Sequence, residues 1–229
     1  MTILCVAGCS FSDFTKVDNV YGQHMANKLG YEYLHEGAGC GSNYRIWRRI
    51  VGHILSGRLT REDLLVVQIT DISRREFWSD AQPPDHSNLA VNDIRVNEAY
   101  GNNNGSIIRY KLDASVWQSN DENTLFFESF QKHHLNPEYE LEQFIVYHAM
   151  FQHFLIAHDI KTIFTKPPNT GELNLLPPFA TLQFKPPNTL MDNAAYCNTP
   201  TDNFHMSDRG HIIFADMLYD HIINVGNVI

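Results

Sequence analysis

The chain has 229 residues, of which 43% are hydrophobic and 19% are charged. A chain of this length and composition can bury a sizeable core, so we expect a single domain over residues 1–229. Its formal net charge of −9 argues against a nucleic-acid partner, because phosphate binding depends on clusters of Lys and Arg. No apolar run approaches the roughly 20 residues that span a bilayer, so we expect no membrane partner either.

Two further features bear on compartment and surface. The N-terminal residues lack the basic region and long apolar core of a secretory signal, which predicts a cytoplasmic location for a complete chain. The four cysteines show neither CxxC pairing nor zinc spacing, so we expect free thiols. The densest basic stretch is expected to form a small solvated patch on a helix, and it comprises Arg45, Arg48 and Arg49.

Hydrophobic patterns predict alternating strands and helices over the first 70 residues. Glycines end the first predicted strand and the first predicted helix, at Gly8 and Gly30. A glycine-rich loop at residues 37–43 follows the second predicted strand. In chain order we predict a strand at 2–7, a helix at 21–29, a strand at 31–34, a helix at 44–56 and a strand at 64–69.

The pattern breaks down at about residues 72–139, which contain the run Asn102-Asn103-Asn104 and two adjacent prolines. The stretch is too long for an ordinary loop, so we expect an insertion with some structure of its own. Periodicity then returns. The remaining predicted elements are a helix at 140–158, a strand at 161–165 and a helix at about 208–224 that Ser207 can cap.

Strands that alternate with helices predict a parallel sheet covered by helices on both faces. We therefore expect an α/β protein, built as a three-layer α/β/α sandwich with a mainly parallel sheet. Ligands of such sheets bind at the carboxyl ends of the strands. The residues that follow each predicted strand are accordingly the first candidates for a functional site.

Ser10 follows the first predicted strand in the sequence Gly8-Cys9-Ser10-Phe11-Ser12. A turn at the sheet edge can expose this serine, and Gly8 permits such a turn. A serine hydroxyl becomes a good nucleophile when a neighbouring base takes its proton. Taken alone, the residue is better explained as a cap of the following segment.

Asp202 and His205 form a second motif, an Asp three residues before a His, just ahead of the last predicted helix. Such an Asp can accept the Nδ1 proton of the His, which fixes the tautomer and leaves Nε2 as a base. With 12 histidines in the chain, one such spacing can also arise by chance. The glycine-rich loop is a third motif. It can direct backbone N–H groups towards an oxyanion, or simply connect a strand to a helix.

In combination and in this order, the motifs resemble the sequence blocks of the SGNH (GDSL-like) hydrolase family. Ser10 stands where the family has the nucleophile of Gly-Asp-Ser, and Gly41 where it has the glycine of its second block. The resemblance implies a flavodoxin-like fold and a triad of Ser10, His205 and Asp202. It also implies that the N–H groups of Ser10 and Gly41 bind the oxyanion. It covers most of the chain, apart from the insertion and residues 171–201.

Two positions depart from the family's pattern. Cys9 replaces the Asp of Gly-Asp-Ser, which lies outside the triad. Thr70 stands where the third block, Gly-x-Asn-Asp, has an Asn that donates to the oxyanion, and its hydroxyl is a shorter donor. Losing one such donor lowers the rate by roughly 10²–10³, so we expect weak activity unless a neighbour compensates. The candidate substrate-binding residues near this position are Asn43, Gln68 and Asp71.

The residues around the start of the last helix could alternatively bind a metal ion. They are Asp202, His205, Asp208 and His211. His211 is expected one turn inside that helix, whereas His205 precedes it, so the four are poorly placed to converge. The histidines of the long helix recur every five residues, which steps by about 140° and puts them on different faces. We therefore predict no metal and no other cofactor.

The predicted function is hydrolysis of a carboxylic ester through a Ser-His-Asp triad. The resemblance implies an O-acetylated carbohydrate as a candidate substrate, by analogy alone. The alternative is a catalytically inactive SGNH-fold module that binds a glycan or a protein partner, and the altered third block favours it.

Overall fold

The computed structural model describes residues 1–9, 12, 19–37, 42–70, 72, 74–79, 94–95, 106–111, 129, 136–165, 183–184 and 208–225. Eight strands and four helices lie within these ranges. In chain order they are β1 (Ile3–Gly8), α1 (Tyr21–Leu29), β2 (Glu32–Gly37), α2 (Asn43–Leu55), β3 (Leu64–Gln68), β4 (Arg74–Ser79), β5 (Ile94–Arg95), β6 (Ser106–Lys111), α3 (Pro137–Ala157), β7 (Lys161–Thr165), β8 (Gln183–Phe184) and α4 (Asp208–Val225).

Five strands form the main sheet, in the order β2-β1-β3-β7-β8, and every neighbouring pair is parallel. All five residues of β3 are buried, as a central strand covered on both faces requires. The edge strand β2 instead alternates between less and more buried positions. The order of the strands reverses at β1, because β2 lies on one side of it and β3 on the other.

Helices cover both faces of this sheet. Side chains of β1 alternate between two cores, with Cys5 and Ala7 facing one and Leu4 and Val6 facing the other. The first core also contains apolar residues of α2 and α3, and the second contains those of α1 and α4. The predicted three-layer α/β/α sandwich is confirmed.

The boundaries of α1 and β7 agree with the prediction residue for residue, and those of β1, α2 and β3 agree to within one residue. α3 begins three residues earlier than predicted. The side chain of Asn136 accepts hydrogen bonds from the N–H groups of Glu138 and Tyr139, and Pro137 occupies the first turn. These capping residues are polar or helix-breaking, so the apolar period does not include them.

The predicted insertion contains a second, three-stranded sheet in the order β4-β6-β5. Both of its strand pairs are antiparallel. That this stretch is an insertion that covers or flanks the site stays a prediction. No helix within the described ranges is long and apolar enough to cross a membrane.

Candidate active site

The candidate site lies where the carboxyl ends of β1 and β3 meet. These strands pair in register, with Ala7 opposite Val67, so Gly8 and Gln68 follow at the same edge. The strand order changes direction at β1, because β2 lies on one side of it and β3 on the other. Such a switch point is the usual ligand site of an open α/β sheet. Four polar residues at this edge are buried: Ser12, Asn43, Gln68 and Thr70.

Ser12 and Gln68 form the centre of a buried hydrogen-bond network at this edge. The Ser12 hydroxyl donates to Gln68 Oε1 at 2.8 Å, and it lies 3.0 Å from the Tyr21 hydroxyl. The Cys9 thiol donates to the same Gln68 oxygen at 3.7 Å. Burial raises the pKa of Tyr21 above its usual range, so the phenol keeps its proton and donates to Ser12. The network thus joins the end of β1 to β3 and α1.

The backbone around Ser12 is held from two further directions. Its N–H donates to the Cys9 carbonyl at 2.9 Å, and its own carbonyl accepts the Nε2–H of His35 at 2.8 Å. The approach is close enough to demand glycine nearby. A Cβ on Gly8 would lie 2.5 Å from the Ser12 hydroxyl oxygen, and one on Gly37 would overlap the Ser12 carbonyl. Ser10 itself lies between Cys9 and Ser12 in the sequence, outside the described residues.

Asn43 and Thr70 form a reciprocal pair between the first residue of α2 and the end of β3. The Thr70 N–H donates to Asn43 Oδ1 at 2.8 Å, and Asn43 Nδ2 donates back to the Thr70 carbonyl at 2.9 Å. Both residues are buried. The Thr70 hydroxyl is buried too, and none of the described residues hydrogen-bonds to it. Asn43 therefore holds the Thr70 backbone, and the Thr70 hydroxyl is left without a hydrogen bond to any described residue.

The structure thus places three of the predicted site residues, Thr70, Asn43 and Gln68, at the expected edge of the sheet. Asn43 has its amide committed to Thr70, and Gln68 Oε1 is committed to Ser12 and Cys9. The other predicted site residues lie outside the described residues, and they are Ser10, Gly41, Asp71, Asp202 and His205. Their roles stay predictions.

His211 has a structural contact. It lies in the first turn of α4, as predicted, and its Nδ1 accepts the backbone N–H of Tyr21 at 3.1 Å. This bond attaches α4 to the start of α1. Within the described ranges, no group of three His, Cys, Asp or Glu side chains is arranged to hold a metal ion. Asp202 and His205, the other half of the proposed ligand set, lie outside those ranges.

A second polar cluster lies between β2 and α2, around the buried carboxylate of Glu36. Arg49 donates to both carboxylate oxygens, Nε at 2.7 Å and Nη2 at 2.6 Å, and His53 Nε2 lies 2.6 Å from Oε1. Arg45 donates to the Glu36 backbone carbonyl at 2.9 Å. Burial alone would raise the pKa of Glu36, but the hydrogen bonds from His53 and Arg49 lower it to about 2.

The prediction of a solvated basic patch is therefore wrong for Arg45 and Arg49. Arg45 is only 5% exposed, and Arg49 is bound to Glu36. A signal was present in the sequence, because Arg45, Arg49 and His53 recur every four residues and so share one face of the helix. Glu36 was missed because a carboxylate within a strand gives no local sign of its partners. Ser12 was missed for a related reason, since both of its side-chain partners are distant in the sequence from the motif.

The fold and this edge define an α/β protein with a buried polar network at the switch point of a parallel sheet. No protein-family model matches the sequence, and no curated protein matches it. Solved structures do match its fold. The esterase EstA from Pseudoalteromonas sp. superimposes with a TM-score of 0.55 at 8% identity, over 99% of this chain and 100% of that one.

Two more solved structures show the same likeness. The acetyl xylan esterase AlAXEase matches 96% of this chain and 99% of its own, at 14% identity and a TM-score of 0.52. A protein assigned to the lipolytic G-D-S-L family, from Desulfitobacterium hafniense, matches 96% and 98%, at 10% identity and a TM-score of 0.51. The chain therefore has the flavodoxin-like fold of the SGNH hydrolases.

Proposed function

We propose that the protein is a serine hydrolase of the SGNH type that cleaves a carboxylic ester, with Ser10 as nucleophile, His205 as base and Asp202 as the residue that orients His205. The observation that carries the proposal is the buried network at the ends of β1 and β3. The Ser12 N–H bonds the Cys9 carbonyl, and the Ser12 side chain bonds Gln68 and Tyr21, so residues before and after Ser10 in the sequence are held to each other and to β3 and α1. A nucleophile needs such a rigid support.

The reaction follows from the assigned roles. His205 Nε2 takes the proton of Ser10 as its oxygen attacks the ester carbonyl carbon. The tetrahedral intermediate collapses by breaking the bond to the alcohol oxygen, which receives the proton from His205. Water then attacks the acyl group on Ser10 with His205 again as base, and the carboxylic acid leaves with Ser10 restored.

The oxyanion donors in this proposal are the N–H groups of Ser10 and Gly41 and the hydroxyl of Thr70. The role of Thr70 is supported by its hydroxyl, which can donate one hydrogen bond and bonds to none of the described residues. Asn43 acts on the oxyanion through Thr70, because both polar atoms of its side chain bind the Thr70 backbone. Direct contact of Asn43, Gln68 or Asp71 with the substrate stays a prediction.

The substrate class that we propose is a small ester, with an acetyl group on a sugar as the first candidate. One structural neighbour is an acetyl xylan esterase, and the two proteins share a fold. At 14% identity this argument is an analogy of fold, so the substrate needs its own assay. Acetylated xylose and p-nitrophenyl esters of increasing acyl length would distinguish sugar recognition from general esterase activity.

The experiment that tests the mechanism is covalent labelling with a fluorophosphonate probe, followed by intact-mass spectrometry. A phosphonate is an apt probe because the Pseudoalteromonas esterase is described as inhibited by monoethylphosphonate. We expect one adduct on the wild type and none on Ser10→Ala or His205→Ala. Ser56→Ala is the matched control, because Ser56 lies just after α2, and we expect it to label like the wild type.

Two results would count against the proposal. Labelling that persists in Ser10→Ala would assign the nucleophile to another residue. A folded wild-type protein that takes no label would instead favour the catalytically inactive module that binds a glycan or a protein.

A further inference from the structure

A cavity of about 550 Å³ lies between the edge strand β2 and α2, and His35, which bonds the Ser12 carbonyl, forms part of its wall. Its lining includes Glu36, Arg49, Gly52, His53, Ser56 and Arg58. We call it the outer pocket. Asn43, which contacts Thr70 at the catalytic edge, begins α2, and His53 lies ten residues further along it. At 1.5 Å per residue, His53 lies about 15 Å from Asn43 along the helix axis.

We propose that the outer pocket binds the phosphate group of a small molecule, a function beyond ester hydrolysis. The volume lies within the range of about 300–1,000 Å³ that is typical of small-molecule sites, and it greatly exceeds a single phosphate ion. The polar side chains in its wall are guanidinium, imidazole and hydroxyl groups, apart from one carboxylate. These are the groups that bind phosphate in proteins.

The charge balance at the pocket favours an anion. Among the described residues, the guanidinium groups of Arg49 and Arg58 line the pocket and that of Arg45 lies behind it, whereas Glu36 is the one described acidic residue in its wall. The whole chain carries a formal net charge of −9, so this local excess of positive charge runs against the composition. A positive cavity in an acidic protein attracts anionic small molecules and concentrates them there.

The negative charge of Glu36 is offset by the hydrogen bonds that its carboxylate accepts from neighbouring cationic and polar groups. Glu36 is 4% exposed and accepts hydrogen bonds from Arg49 at both oxygens. His53 Nε2 donates to it as well. These bonds fix the Arg49 guanidinium and the His53 ring in one orientation before any ligand arrives. Such preorganisation lowers the entropic cost of binding.

Arg58 is an exposed cation at the wall of the pocket. Its side chain forms no ion pair with any residue in the described part of the chain, although it lines the pocket. Gly57, at φ 73°, ends the helix in the left-handed conformation that favours glycine. The Arg58 N–H then bonds the His53 carbonyl at 2.9 Å. This turn holds Arg58 beside His53 and against the pocket.

Isothermal titration calorimetry with the full chain, at constant ionic strength, tests the proposal. The probes are inorganic phosphate, glucose 6-phosphate and glucose. We expect both phosphates to bind and glucose not to bind, with Arg58→Gln weakening the phosphates at least tenfold. Tighter binding of glucose 6-phosphate than of phosphate would show that the rest of the cavity takes part, and equal binding would show that the phosphate group alone is recognised.

The matched control is Arg61→Gln. Arg61 lies three residues from Arg58, is exposed, pairs with Glu62 and does not line the pocket. The same change of charge there should leave both affinities unchanged. The proposal fails if neither phosphate binds, if Arg58→Gln binds as the wild type does, or if Arg61→Gln weakens binding as much as Arg58→Gln does. Fluorophosphonate labelling of Arg58→Gln should equal that of the wild type, so this result is independent of the esterase mechanism.

Discussion

At the scale of single residues, the Thr70 hydroxyl gives the sharpest test of the proposed oxyanion site. Replacing Thr70 by Val removes the hydroxyl and preserves the shape and burial of the side chain. If the hydroxyl stabilises the transition state, kcat should fall about 10²-fold with little change in KM. Steady-state kinetics on p-nitrophenyl acetate provide the measurement.

Thr162→Val is the control for this substitution. Thr162 is equally buried, on β7, and its hydroxyl donates to a carbonyl at 3.0 Å near the amino end of that strand. Its replacement loses a hydrogen bond, so it carries at least the stability risk of Thr70→Val, and Thr162 lies at the opposite end of the strand from the catalytic edge. An equal loss of kcat in both variants would mean that Thr70 contributes to stability and not to the oxyanion.

The contacts of Thr70 also mark the limit of prediction at this scale. The apolar pattern of β3 predicts that Thr70 follows the end of a strand. The order of the motifs predicts that this strand end lies at the site. The pairing with Asn43 joins residues 27 positions apart through backbone atoms, which no side-chain pattern encodes. The tyrosine and glutamine around Ser12 were unpredictable for the same reason, because they come from α1 and β3.

At the scale of elements, Glu36 is the polar group that joins β2 to α2. Glu36→Gln should lower the free energy of unfolding by roughly 3 kcal/mol at pH 7, because it leaves buried arginines without their anion. Urea titrations would measure the loss. Glu62→Gln is the control, since Glu62 pairs with Arg61 in an exposed pair worth at most about 1 kcal/mol. Equal losses in the two variants would contradict the structural role of Glu36.

The main elements could be predicted because most of them bury one continuous apolar face. Periodicity therefore placed α1 and β7 correctly, and it placed the layers on both faces of the sheet. The strands of the insertion were not predicted individually. They form a separate antiparallel sheet within an irregular stretch, and β5 has only two residues, too few to establish a period.

At the scale of the whole molecule, a buried histidine makes global stability depend on pH. His148 lies in the core among Trp47, Phe144 and Phe164, and burial lowers its pKa to about 4. The ring is neutral, and its Nε2 accepts a hydrogen bond from Gln152 Nε2 at 3.0 Å. Protonation would place a charge in an apolar core and turn that acceptor into a donor.

The direction of the effect follows from the two pKa values. In the unfolded chain His148 titrates near its ordinary value of 6.5, and in the folded chain near 4. Between these values the unfolded chain binds more protons, so acidification favours unfolding. Stability is fully present above pH 6.5, falls as the pH drops towards 4 and levels off below it. From pH 7.5 to 5.0 this group accounts for a loss of about 2 kcal/mol.

Urea unfolding at pH 7.5 and 5.0 measures this loss, with His148→Gln and His153→Gln compared with the wild type. Glutamine can still accept a hydrogen bond from Gln152 but takes no proton, so the drop on acidification should shrink by about 2 kcal/mol in His148→Gln. His153 lies on the same helix and is exposed, so its replacement should leave the drop unchanged. An undiminished drop in His148→Gln would mean that His148 is accessible to protons in the folded chain. The packing of α3 against β7 and α2 would then be looser than the buried aromatic contacts imply.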